Sequence, residues 1–358
     1  VNPVTYISCA TALGAALLFA TGIWRQVFGL FAIRPSRMTV KRLGLRVTAP
    51  SDVERVNGIL AGFAGGFNAM IKGRRATSWH RYVNSLSPLH RPFAHEGAAM
   101  GYTLRQFFSY RPDEFEDRVV KPKPEFRYLY YVGLGFWSGM RNHDVNRLER
   151  IVGGLDPMHR YLCYDGYGFK YAFFDYPRDP TALRKLDLLT GYSRNAAYQG
   201  VGRALFFLYM GDVDALIDHI QGLGSHAVDG AAGLGLAAVF VNPDRLGLAM
   251  ALGRKLPEDW HPHFHLGMCF GLKARSINDV DEFERYMEHV EPDVREAAYA
   301  SIRECDRVEL LARSEEGEDG YCRWRERVTV WMAERIEYPL GGLKSSTPER
   351  LTSTSMPK

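Results

Sequence analysis

Two carboxylates stand out for the company they keep. Glu96 lies in the segment FAHEGAAMG (93–101), and Asp165 lies in LCYDGYGF (162–169). On a helix, the residues three before and four after a position share its face. That places Phe93 and Met100 beside Glu96, and Leu162 and Phe169 beside Asp165. A carboxyl group among apolar and aromatic side chains is either paired or has its pKa raised by desolvation. In the second state it keeps its proton near neutral pH and can deliver it to an olefin or a leaving group. Asp165 is the richer of the two, with Tyr164, Tyr167 and Lys170 around it. Tyrosine rings there would steady a cationic intermediate or line a greasy pocket. Both acids also recur at equivalent places along the chain, as scaffold residues do. His90-Arg91 and His159-Arg160 recur with them and are candidate partners for buried acids. These four, with Tyr164, Tyr167, Lys170 and Asp229, make up the expected ligand-binding set.

Other chemistry is thinner. His261, His263 and His265 resemble a metal cluster, but His265 stands where other copies of the repeat have Tyr131 and Tyr198. That leaves two histidines, too few for a site on their own, so no metal is expected. Asn278-Asp279-Val280-Asp281-Glu282 has the look of an acidic magnesium motif, yet Asp279 is the third Asp-Val of the repeat and reads as a helix start. The chain has no GxSxG, GxxxxGK[ST] or HExxH, and Gly133-Leu-Gly135 lacks the dinucleotide-loop spacing. Familiar hydrolases and nucleotide enzymes are therefore disfavoured, and no motif names a cofactor.

The elements that must position these residues show themselves by self-similarity. Ser87-Pro-Leu-His-Arg91 matches Asp156-Pro-Met-His-Arg160. Tyr131-Val-Gly133-Leu-Gly135 matches Tyr198-Gln-Gly200-Val-Gly202 and His265-Leu-Gly267-Met-Cys269. Asp144-Val145, Asp212-Val213 and Asp279-Val280 follow in turn, and Asp229-Gly-Ala-Ala repeats the small-residue block. The period is about 67 residues. Each unit reads as helices: Ser87 and Asp156 are N-cap types followed by Pro, and Val145, Leu148 and Val152 fall at helical spacing. Glycine inside a helix costs about 1 kcal/mol, so its recurrence implies helix contacts too close for a side chain. Pro92 should kink or delay the first of these helices. The fold expected is all-α: diverged α/α repeats forming one curved array around a groove or cavity.

The segments FAHEGAAMG (93–101), DPMHRYLCYDGYGFKYAFF (156–174), YQGVGRALFFLYMGD (198–212) and DGAAGLGLAAVF (229–240) resemble the UnbL-type family, uncharacterised proteins encoded beside enediyne polyketide synthases. The likeness runs from about Trp24 to Gly342. It implies a role in making or handling a polyene-derived natural product, and it supplies no catalytic residues.

The ends differ from the body. Val4 to Trp24 carries no charge, about the length needed to cross a bilayer. Arg25, Arg34, Arg37, Lys41, Arg42 and Arg46 follow with no acid before Asp52. If the run inserts, the body faces the cytoplasm; otherwise the protein is cytoplasmic. The expected organisation is thus a candidate anchor (1–24), a helical repeat domain (25–343) and a Ser/Thr/Pro-rich disordered tail (344–358). Five scattered cysteines with no CxxC pair suggest reduced thiols. A net charge of +4 without a basic stripe argues against nucleic acid. Three functions follow as expectations. The first is binding or processing of a long apolar polyene or isoprenoid-like intermediate. The second is acid-catalysed cyclisation or isomerisation of such a chain by Asp165 or Glu96. The third is a membrane-anchored scaffold.

Overall fold

The structure is a computed structural model that describes residues 29–73, 79–106, 112–142, 144–315, 320–337 and 342–343. Its regular structure in those residues is helical, apart from a two-residue antiparallel ladder pairing Ile336 with Leu343. Among the described residues the α-helices of eight residues or more are α1 (Pro50–Lys72), α2 (Arg91–Arg105), α3 (Arg127–Met140), α4 (Val145–Val152), α5 (Leu162–Lys170), α6 (Tyr192–Tyr209), α7 (Val213–Gln221), α8 (Ala227–Val241), α9 (Leu246–Gly253), α10 (His261–Asn278), α11 (Val280–Glu288), α12 (Pro292–Ser314) and α13 (Gly320–Arg335). The candidate anchor (1–24) and the tail (344–358) lie outside the described residues. Among those residues Gly224–Val241 is long and apolar enough to span a membrane, but 72% of it is buried inside the protein.

Helices α1, α2, α3, α5, α6, α8 and α10 form a row in which each packs on the next. Small residues make the approach possible. A Cβ on Gly133 would collide with the Glu96 carbonyl on α2, and one on Gly135 with the Cys163 carbonyl on α5. Gly166 and Gly168 face α3 and α6 in the same manner, Gly200 and Gly202 face α5 and α8, and Gly233 and Gly235 face α6 and α10. Residues i and i+2 are about 200° apart around a helix, so each Gly-x-Gly presents two opposite sides to two neighbours. The residue just before the pair and the one three after its first glycine then share one of the remaining sides.

The ends of the row are tied together. Arg275 on α10 donates to the carbonyls of Phe240 and Leu89, and the rings of Phe93 and Phe240 lie 5.3 Å apart. Arg55 on α1 forks onto Asp244, just past α8, with both contacts at 2.7 Å. The caps match the sequence at three places: Asp144, Asp212 and Asp279 accept from the backbone N–H of Arg147, Ala215 and Glu282. Ser87 and Asp156 instead open turns, and α2 and α5 begin later, at Arg91 and Leu162. Pro92 sits in the first turn of α2, where a missing N–H leaves no hydrogen bond unmade.

Candidate functional site

The side of the row defined by that helical arithmetic holds an unusual concentration of buried charge. Glu96 and Asp165 precede Gly97 and Gly166, and Gln199 precedes Gly200. Glu96 is 6% exposed, Asp165 1% and Gln199 1%. Three residues after Gly200 comes Arg203, where α3 and α10 carry Phe136 and Phe270. Its guanidinium stands between the two acids, 3.1 Å from Asp165 Oδ1 and 3.9 Å from Glu96 Oε1. Gln199 Nε2 donates to Asp165 Oδ2 at 2.8 Å. From the C-terminal helix α13, buried Arg325 reaches in to donate to Gln199 Oε1, with Asp229 3.8 Å from it. His226 Nδ1 lies 3.3 Å from the same aspartate.

The two acids differ in what they face. Asp165 is gripped by Arg203 and Gln199; burial raises its pKa, and Arg203, Gln199 and Arg325 oppose that rise. Among the described residues the Glu96 carboxyl accepts no hydrogen bond. Burial pushes it up to about 7, Arg203 pulls against this and Asp165 adds to it. Two apolar cavities adjoin it. One, of about 60 Å³, is walled by Leu129, Leu236, Phe240, Phe270 and Trp324. The other, of about 50 Å³, is walled by Ile59, Phe63, Phe136, Phe169 and Phe173. Phe93, Glu96, Arg203 and Phe207 line both. A neutral carboxyl that borders apolar space beside a cation can donate a proton or a hydrogen bond to whatever occupies that space.

The remaining predicted site residues lie elsewhere. His90 bonds Ser87 Oγ at 2.9 Å. Arg91 pairs with Asp279 at 3.1 Å and borders a separate polar cavity of about 200 Å³ with His95, Lys123, Glu125 and Arg275. His159 lies between Asp156 at 2.8 Å and Glu309 at 3.1 Å, and Arg160 lies over the ring of Tyr161. None of the four is among the groups acting on Glu96 or Asp165; they stand five or six positions before the acids, at or ahead of the first turn of α2 and α5. Tyr164, Tyr167 and Lys170 do not surround Asp165 either. Being one, two and five positions from it, they point to other sides of α5. Tyr164 bonds Ser193, Tyr167 approaches the Tyr171 hydroxyl at 3.5 Å, and Lys170 pairs with Asp175 at 2.7 Å. Asp229 does join the network, through Arg325, but not as the counterpart of Asp165. Gly233, not Gly230, meets α6 as Gly166 meets α3, so the matching position is Ala232. His261 and His265 are engaged with the carbonyls of Leu256 and His261. No group of three or more His, Cys, Asp or Glu side chains among the described residues is placed to hold a metal.

Sequence reasoning missed Arg203, Gln199 and Arg325. For Arg203 a signal existed: a charge three residues after Gly200, where the segments that match it in sequence carry Phe136 and Phe270. Arg325 lies far along the chain from both acids, and nothing local marks it.

The model of the DUF1702 family, described as a protein of unknown function, matches residues 22–331. The chain belongs to that family. The match takes in the whole row of helices and most of α13, so Glu96, Asp165, Arg203 and Arg325 all fall within the DUF1702 region. No curated protein and no solved structure matches the chain.

Proposed function

We propose that this chain binds a long, thin, apolar intermediate, polyene or isoprenoid-like, during the synthesis of a natural product. The observation that carries the reading is the pair of aromatic-walled cavities adjoining one buried carboxyl. Narrow apolar space lined by Phe, Leu and Trp suits a chain of small cross-section better than a bulky polar metabolite. The likeness of Asp156–Phe174 and its companion segments to the UnbL-type family supports a biosynthetic setting. We read the row of helices as diverged copies of a unit of about 67 residues, curved around this space. Supporting that is the common manner in which Gly133, Gly200 and Gly267 meet the preceding helix.

A second reading, acid-catalysed cyclisation or isomerisation, is favoured by one observation: Glu96 borders both cavities and holds its proton up to about 7. In that reading Glu96 is the donor. Asp165, locked by Arg203 and Gln199, sets the local field, and the aromatic walls steady positive charge on the chain. Extraction of the purified full-length protein with organic solvent, followed by mass spectrometry, tests the first reading. A co-purifying hydrocarbon-rich molecule in near-equal amount is expected. A protein that yields none and rejects added polyenes would favour a scaffold. Glu96→Gln separates the two readings: a binder keeps its ligand, whereas an enzyme keeps its ligand and loses turnover.

A further inference from the structure

The position of the charge relative to the cavities says more about the ligand than that it is apolar. A site for a fatty acid or a similar amphiphile places its polar group at one end of the apolar space. Here the polar pair stands between two apolar spaces, with Glu96 and Arg203 bordering both. Phe240, Phe270 and Trp324 wall one side; Phe63, Phe169 and Phe173 wall the other. The Glu96 side chain is 7% exposed and, among the described residues, lacks a hydrogen-bond partner, while its nearest ion-pair contact, Arg203, is 3.9 Å away. A carboxyl this buried, held by an ion pair at 3.9 Å, gains from a ligand atom that hydrogen-bonds it. Arg203 itself replaces the aromatic residue found at this position on α3 and α10, so the charge interrupts an otherwise apolar lining.

From this juxtaposition we infer that the ligand carries a polar group, a carbonyl or hydroxyl, within its chain rather than at its end, with an apolar arm on each side. The oxygen meets Glu96 and Arg203, and one arm enters each cavity. A carbonyl accepts from the carboxyl O–H and from the guanidinium; a hydroxyl can also donate to the carboxyl. This rests on the reading of the site as a place for an apolar chain, and adds where its oxygen lies.

The test uses the full chain and three probes of equal length: a straight-chain ketone with a central carbonyl, its isomer with the carbonyl next to the terminus, and the parent alkane. Binding is followed by the fluorescence of Trp324 against a Trp324→Phe control. The central ketone is expected to bind about tenfold more tightly than the other two, the effect of one well-made buried hydrogen bond. Arg203→Met and Glu96→Leu should erase that preference, and Glu96→Gln, which keeps an N–H donor, should retain it. Thermal melts identify variants that do not fold, and the wild-type ranking decides the question without them. Equal binding of all three probes would overturn the internal oxygen while leaving the apolar site standing. Binding of none would overturn both.

Discussion

A carboxyl group that titrates near 7 in the folded protein couples stability to pH in an uncommon direction. Glu96 moves from 4.5 to about 7, chiefly through burial. The folded state therefore keeps a proton that the unfolded chain has already released. Stability should fall as pH rises from about 4.5 to about 7 and level off above, by up to about 3 kcal/mol in all. Urea melts across this range should show the decline in the wild type and its absence in Glu96→Gln; an unchanged decline in the variant would assign it to another group. The acid limb has the opposite sign. Glu309, whose burial is outweighed by His159 and Lys273, sits at about 2, so its contribution is lost as pH drops below the ordinary glutamate range. Arg203 should matter more than any single acid. Arg203→Met leaves Asp165, 1% exposed, with its main counter-charge gone. A loss of about 3–5 kcal/mol is expected, and a loss below about 1 kcal/mol would show that the pair is not buried as described.

At the scale of the element, glycine decides how near the helices lie. Gly200 of α6 meets the Asp165 carbonyl of α5 with no room for a methyl group, whereas Gly247 on α9 has nothing within 4 Å of a built Cβ. Gly200→Ala should therefore cost several kcal/mol or prevent folding, because helix backbones must separate. Gly247→Ala should gain up to about 1 kcal/mol from helix propensity alone. Similar effects of the two substitutions in a denaturant series would contradict the packing. This much was legible in the sequence: the recurring Gly-x-Gly pairs implied close helix contacts, and Asp144, Asp212 and Asp279 marked helix starts. The register was less legible. Asp229-Gly230 looks like Asp165-Gly166, but Gly233 makes the equivalent contact, since small residues are so frequent in α8 that pattern alone admits more than one alignment. The partners of the acids were misplaced for a related reason. His90-Arg91 and His159-Arg160 are near in sequence, whereas Arg203 and Gln199 are brought in by the next helix, and a pairing across helices leaves no local trace.

In the whole molecule, the C-terminal helices complete what the row begins. Trp324 on α13 walls one cavity, its indole N–H bonds the Cys305 carbonyl of α12 at 2.9 Å, and Arg325 enters the charged network. Lys273 of α10 pairs with Asp306 and Glu309 of α12, fixing that pair of helices against the row. Arg325→Met should destabilise the protein by about 3 kcal/mol by leaving Asp229 and Gln199 without their buried partner. Trp324→Ala should weaken binding of any apolar probe with little effect on the charged cluster. Tyr321 and Trp324, which α13 adds to the wall of that cavity, were not anticipated, because no motif in the sequence singles them out. The most direct measurement of the central claim is photolabelling of the full-length protein with an alkane bearing a diazirine, followed by peptide mapping. The account predicts adducts on cavity residues such as Phe93, Phe207, Leu236 and Phe270, suppressed by excess unlabelled polyene. Adducts confined to exposed positions such as Leu310 and Val330, unaffected by competitor, would contradict it.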